Sequence, residues 1–145
     1  MSFKRIGIGS DHDGYHLKQL LVNYLTNAGI EVVDYGPETD ERVDYPDFAH
    51  PLANDLEAGK LEAGVLICGS GNGINMAANK HSGVRSALCW KAELACLARQ
   101  HNNANVLALP ARFIDEQEAI NCVNEFLNND FEGGRHQERI DKIPL

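Results

Sequence analysis

The chain has 145 residues, 43% hydrophobic and 23% charged, with 13 Lys+Arg against 21 Asp+Glu and a net charge of −8. That length suits one domain, 1–145, with a full hydrophobic core, and the acidic balance argues against a general nucleic-acid surface, which is usually basic. No stretch is apolar for long enough to span a bilayer, and Met1-Ser2-Phe3-Lys4-Arg5 lacks the core of a signal peptide, so a cytoplasmic protein with no membrane partner is expected.

Ile6 to Gly9 reads as a short apolar strand. Leu17, Leu20, Leu21, Tyr24, Leu25 and Ala28 then follow helical spacing, and Gly29 closes that helix. Ile30 to Tyr35 is the second predicted strand. Gly36 to Pro46 is a polar, proline-bounded loop, long for a compact domain, and such loops are often functional. Phe48 to Leu56 predicts a second helix and Val65 to Ile67 a third strand. After the turn Gly69-Ser70-Gly71-Asn72-Gly73, Ile74 to Lys80 starts a third helix. Val84 to Leu88 and Asn105 to Leu109 are the remaining strands, with an alanine-rich helix between them from Lys91 to Gln100. Asp115 and Glu118 form a helix-capping pair ahead of an apolar face of Ala119, Ile120, Val123, Phe126 and Leu127. The tail from Phe131 to Leu145 is polar and basic in its middle.

Five such alternations imply a three-layer α/β/α fold, Rossmann-like, with a five-stranded parallel sheet and a C-terminal helical tail. The strand ends Gly9, Cys68, Leu88 and Leu109 then share one edge. Ligands bind at that edge in open α/β sheets.

Cys68 is the most telling residue there. It ends an apolar strand, lies under a glycine-rich turn and faces a helix N-terminus. Free backbone N–H groups at such a place hold anions, and the same setting is expected to lower the thiol pKa. The turn is not a Walker A loop, since no Gly-Lys-Ser/Thr follows, and its G-x-G-x-G spacing differs from the dinucleotide fingerprint. A Cys-loop phosphatase needs an arginine where Ile74 stands. What survives is a row of backbone donors able to stabilise an oxyanion.

Cys68, Cys89, Cys96 and Cys122 show no C-x-x-C pair and no zinc spacing. The last three read as packing residues. Asp11 and His12 follow the first strand and suit a sugar hydroxyl or proton transfer, or else helix capping with a solvated imidazole. Tyr45, in the long loop, either walls a pocket or is a partly buried loop aromatic. His101, at the end of the fourth helix, is either a general acid or base or a dipole-satisfying C-terminal cation. Arg135, His136 and Arg139 put two guanidinium forks on one helical face, which suits a phosphate dianion or a plain solvated face.

Taken together, Gly9-Ser10-Asp11-His12, Asp44-Tyr45-Pro46, Ile67 to Gly73, Ala77-Ala78-Asn79-Lys80, Arg99-Gln100-His101-Asn102, Asn105-Val106-Leu107-Ala108 and Glu132-Gly133-Gly134-Arg135-His136 resemble the type B ribose-5-phosphate isomerases. The resemblance spans nearly the whole chain. It implies an aldose–ketose isomerase that interconverts ribose 5-phosphate and ribulose 5-phosphate through a cis-enediolate, with no metal and no cofactor. By the same resemblance Cys68 is the base. Ser70 and the amides of Gly69, Gly71, Asn72 and Gly73 hold the enediolate oxygen, and His101 assists ring opening. Asp11 and His12 contact the sugar or its phosphate, and Tyr45 borders the sugar. Asn102, Arg112, Arg135 and Arg139 complete the substrate and phosphate site. The family is typically a homodimer with a site shared between chains, so His101, Asn102 and Arg112 are expected to face the partner's Cys68, and dimers can pair into tetramers. The rival readings are an isomerase of a six-carbon sugar phosphate, such as allose 6-phosphate or galactose 6-phosphate, a non-catalytic phosphosugar sensor, and a thiol-redox protein using Cys68.

Overall fold

The structure is a computed structural model, and it describes residues 3–145. Five strands, β1 (Arg5–Ser10), β2 (Glu31–Asp34), β3 (Ala63–Cys68), β4 (Ser86–Leu88) and β5 (Val106–Pro110), alternate with α1 (Tyr15–Asn27), α2 (Pro46–Glu57), α3 (Asn72–Ala78) and α4 (Ala92–Asn102). A 3-10 turn (Ala111–Phe113), α5 (Glu116–Asn128) and the short α6 (Arg135–Ile140) complete the chain. All strand pairs are parallel, in the order β2-β1-β3-β5-β4. The expected three-layer architecture is therefore present, and its helical tail is α6.

The strands alternate faces with period two. Ile6, Ile8, Val65, Ile67, Leu107 and Leu109 join a core built with Leu17, Leu21, Leu25, Ala95, Ala98, Cys122 and Phe126, from α1, α4 and α5. Leu66, Cys68, Val106 and Ala108 point the other way, into a smaller core with Ala49, Leu52, Ala53, Ile74 and Ala78, from α2 and α3. Cys68 thus belongs to the α2–α3 face by strand parity alone.

Several boundaries differ from the sequence reading for local reasons. β3 begins at Ala63 rather than Val65 because Gly64 is a strand residue: a Cβ there would lie 2.6 Å from Leu52 Cδ2. α2 begins at Pro46, a residue suited to a first helical turn, where its missing N–H costs nothing. β4 begins at Ser86, after Arg85 N–H has turned to Asn105 Oδ1 at 2.8 Å. The Asp115 cap is as expected, its carboxylate accepting from Glu118 N–H at 2.7 Å.

Two buried cations were not anticipated. Lys18 Nζ on α1 reaches both Asp34 oxygens at 2.9 Å, pinning the helix to the end of β2. Arg99 donates to the Ala104 carbonyl and to Asn103 Oδ1, and its guanidinium lies 5.0 Å from the Phe3 ring centroid. Buried cations persist where they are paired in this way. Arg99 fixes the last turn of α4, which carries His101 and Asn102.

Candidate active site

The chain leaves β1 toward β2 on one side and reaches β3 on the other. The crevice between β1 and β3 is therefore the topological switch point, the usual ligand position in such sheets. Ser10 stands beside Ile67 in register, and Asp11 N–H donates to the Ile67 carbonyl at 3.1 Å. Asp11 and Cys68 thus emerge side by side. Gly71 then makes the turn into α3 with φ +76°, and a Cβ there would lie 2.4 Å from Leu88 Cδ1. Both the left-handed backbone and the packing demand glycine.

The Cys68 thiol is buried, and burial pushes its pKa up rather than down. Asp11's negative charge adds to the rise. The backbone N–H groups of Ile74, Gly71 and Gly73 pull the other way without winning. The expectation of a lowered pKa is corrected here: the sequence marks the amides, but not the loss of solvent or the carboxylate next door. Asp11 itself is raised, chiefly by burial, against the N–H of Gly14, which its Oδ1 accepts at 3.1 Å. It therefore shapes the turn before α1 and charges the thiol's surroundings at once.

His12 Nδ1 lies 3.1 Å from the Val43 carbonyl and 3.2 Å from Val43 N, which ties the long loop to the end of β1. Its tautomer selects which of the two it bonds. Tyr45 caps α2, and its ring lies over Gly73, where a Cβ would stand 2.5 Å from Cζ. Ser70 Oγ accepts from Asn72 N–H at 3.2 Å, so the turn is closed by its own side chain while Ser70 and Asn72 stay exposed.

Arg112 sits over its own chain's loop. Its N–H donates to the Gly69 carbonyl at 3.0 Å, and its guanidinium donates to Asp13 Oδ2 at 2.6 Å. Within one chain this position follows from the sheet: β5 pairs with β3, so the residues after β5 land on the loop after β3. Asp13, absent from the predicted set, stands between Arg112 and His12, whose Nε2 is 3.9 Å from Asp13 Oδ1. The signal that could have found it is the unbroken run Ser10-Asp11-His12-Asp13.

The second group lies elsewhere. α4 runs back against the strands, so its last turn reaches the amino edge of the sheet. There Arg85, just before β4, donates to the carbonyls of Asn102 and Asn103 at 3.2 and 2.9 Å. His101, Asn102, His136, Arg139, Ile140 and Ile143 line one hollow at that edge. The His101 and His136 rings stack at 4.1 Å with 13° between their planes. His136 is buried, its Nε2 has no hydrogen-bond partner among the described residues, and Glu132 Oε1 stands 3.6 Å away. Arg135 and Arg139 are exposed one helical turn apart on α6.

The five residues of β5 separate the two groups, which at strand rise is roughly 15 Å. The fold thus gathers Cys68, the Gly69–Gly73 turn, Asp11, His12, Tyr45 and Arg112 at one edge. It places His101, Asn102, Arg135 and Arg139 at the other.

Among the described residues, two clusters have the composition of a metal site, Asp11 with His12 and Asp13, and His101 with Glu132 and His136. In the first, each group is spent within the chain, on Gly14, Val43 and Arg112 respectively. Cys89 and Cys122 are buried, and burial pushes both thiols up to about 12, as packing residues would be; Cys96 is half-buried.

Comparison with known proteins points one way. The ribose/galactose isomerase family matches residues 6–143. Ribose-5-phosphate isomerase B of Escherichia coli is 43% identical over 140 residues, covering 97% of this chain and 94% of that protein. The structure of ribose-5-phosphate isomerase B from Mycoplasma genitalium with bound ribulose 5-phosphate is 50% identical. It superimposes with a TM-score of 0.92 over 99% of this chain and 95% of that one. The Thermotoga maritima ribose 5-phosphate isomerase superimposes with a TM-score of 0.95 at 45% identity, over 99% and 98% of the two chains.

Proposed function

The chain belongs to the ribose/galactose isomerase family, and from that premise we propose how its residues divide the work of an aldose–ketose isomerase. The enzyme interconverts D-ribose 5-phosphate and D-ribulose 5-phosphate. A hexose-phosphate substrate is not favoured, since the relative at 50% identity holds ribulose 5-phosphate.

A C–H bond beside a carbonyl is a poor acid until the carbanion is delocalised onto oxygen. The enzyme therefore needs a base and an oxyanion hole together, and the observation that carries the reading is Cys68 beneath the Gly69–Gly73 amides. Cys68 takes the proton from C2 of the open-chain aldose and returns it to C1. Ser70 and the amides of Gly69, Gly71, Asn72 and Gly73 hold the oxygen of the cis-enediolate. Asp11 and Tyr45 border the sugar. Arg112 and His12 lie beside the turn, where a phosphate or sugar hydroxyl reaches them. No step calls for a metal.

His101 assists opening of the furanose ring, with Asn102, Arg135 and Arg139 completing the phosphate site. Those residues stand a strand's length from the Cys68 of the same chain. A complete site is then one chain's carboxyl edge set against another's amino edge, in a homodimer. Binding energy from the phosphate, far from the reacting carbons, positions C1 and C2. The chain acts as one domain, and its free cysteines suit a reducing cytoplasm.

The test mixes two inactive chains, Cys68→Ala and His101→Ala, and follows ribose 5-phosphate by NMR with EDTA present. Random pairing makes half the dimers mixed, each with one intact site, so about a quarter of wild-type activity returns. No recovery on mixing, with mixed dimers demonstrated, would return both residues to one chain's site.

A further inference from the structure

We propose that Asp13 is an internal competitor for the substrate's phosphate: its carboxylate occupies Arg112, an incoming phosphate must take its place, and Asp13 thereby sets how tightly the enzyme holds anionic ligands. The inference rests on the place given above to Arg112 and His12 beside the substrate. It adds to that site a residue that weakens binding.

Asp13 Oδ2 accepts from the Arg112 guanidinium at 2.6 Å, and Asp13 Oδ1 stands 3.9 Å from His12 Nε2. One carboxylate thus faces both of the side chains that await a phosphate or sugar hydroxyl at this edge. The pair is packed on the glycine turn itself. A Cβ on Gly69 would lie 2.8 Å from Asp13 Oδ2 and 3.1 Å from Arg112 Nε. Among the described residues, Arg112 is the one arginine of the proposed phosphate site that already holds a carboxylate.

Local structure does not need this carboxylate. Asp11, not Asp13, accepts the Gly14 N–H, and no side chain caps α1. The Arg112 backbone is fixed on the Gly69 carbonyl, while its side chain is 65% exposed. An ion pair that open contributes little to stability. Its consequence lies in binding. The guanidinium fork matches one carboxylate or one phosphate. A carboxylate already on it uses donors that the phosphate would take, and sets a like charge beside the incoming dianion. Both effects act alike on substrate, product and inorganic phosphate. They therefore belong to uniform binding, which moves KM and leaves kcat.

The experiment measures inorganic phosphate as a competitive inhibitor of ribose 5-phosphate turnover by the full-length enzyme. Asp13→Asn and Asp13→Ala both remove the charge. In each, Ki for phosphate and KM should fall about fivefold, the scale of an exposed ion pair, with kcat little changed. Asp13→Glu keeps the charge and should stay near wild type; an equal gain there overturns the charge argument. Glu116→Gln removes a carboxylate from the hollow that Asp13 also lines and should leave both constants alone. The same gain in that variant would reduce the effect to net charge and overturn the role of Asp13. In an Arg112→Ala background, Asp13→Asn should lose most of its gain, because the carboxylate acts through the guanidinium. Weaker phosphate binding in Asp13→Asn, at an unchanged melting temperature, would show that Asp13 orients Arg112 instead of competing for it. Unchanged constants in both charge-removing variants overturn the proposal equally. If Arg112→Ala binds phosphate as well as wild type, the fault lies in the place given to Arg112, and the competition falls with it; weaker binding in Arg112→Ala with no gain in Asp13→Asn overturns the competition alone.

Discussion

At the carboxyl edge of the sheet, the polar groups around Cys68 are completed within one chain. Asp11 holds Gly14, His12 holds Val43, Asp13 holds Arg112, and Ser70 holds Asn72. At the amino edge, His136 Nε2 has no partner, and Arg135 and Arg139 make no ion pair among the described residues. The first edge is preorganised, which is what proton transfer from carbon requires. The second is a set of donors and cations waiting for an anion or a neighbouring surface. Under the proposed division of work, proton transfer at carbon falls to the finished half, and phosphate recognition with ring opening by His101 to the unfinished one.

The largest effect that would break this division is the loss of Cys68. Cys68→Ala is expected to cut kcat by about 10²–10⁴-fold, the usual worth of a positioned general base, while leaving the affinity for a phosphate ligand near wild type. Steady-state kinetics with equilibrium binding measures both. Near-normal turnover would remove the thiol from the reaction and leave the carboxyl edge as a binding surface only.

A smaller effect sharpens the other half. Arg135→Ala should raise KM about 10–100-fold with kcat little changed, since a charge-assisted hydrogen bond is worth about 1.5–3 kcal/mol. The side chain is exposed and its removal should leave stability almost untouched, which a melting curve checks. Equal KM and kcat in the variant would take Arg135 out of the phosphate site. A fall in kcat alone would move it from recognition to chemistry.

The two edges were not equally legible in the sequence. The carboxyl edge announces itself because its parts are contiguous: Val65 to Gly73 contains the strand, the thiol, the turn and the helix start. The alternation of apolar runs with helical spacing was enough to place that segment at the functional edge. What stayed hidden there depended on distant pairs, such as Asp13 with Arg112, separated by 99 positions. The amino edge is harder. Arg135-His136-Gln137-Glu138-Arg139 reads as a solvated basic face, and nothing in it shows that His136 is buried. That burial arises only when α6 lies against α4, with Ile140 beside it. The shift of the Cys68 pKa was misjudged for the same reason, since desolvation is a property of packing and not of spacing.

The smallest effect concerns that shift, and it isolates one term of the carboxyl edge. Burial dominates the raised pKa of Cys68, and the charge of Asp11 adds to it. The thiolate is the reactive form, so the rate of alkylation by iodoacetamide should climb with pH through a limb above the ordinary thiol range. Asp11→Asn keeps an oxygen for the Gly14 N–H but removes the negative charge. With one anion fewer nearby, the thiolate is easier to form, and the limb should move to lower pH without returning fully, because burial remains. The alkaline rise of kcat/KM should move in the same direction, although its height also falls if Asp11 contacts the sugar. A limb that stays in place would mean that the charge of Asp11 contributes little at the thiol. The thiol would then be held up by desolvation alone, and the N–H dipoles of the turn would be the groups left to tune it.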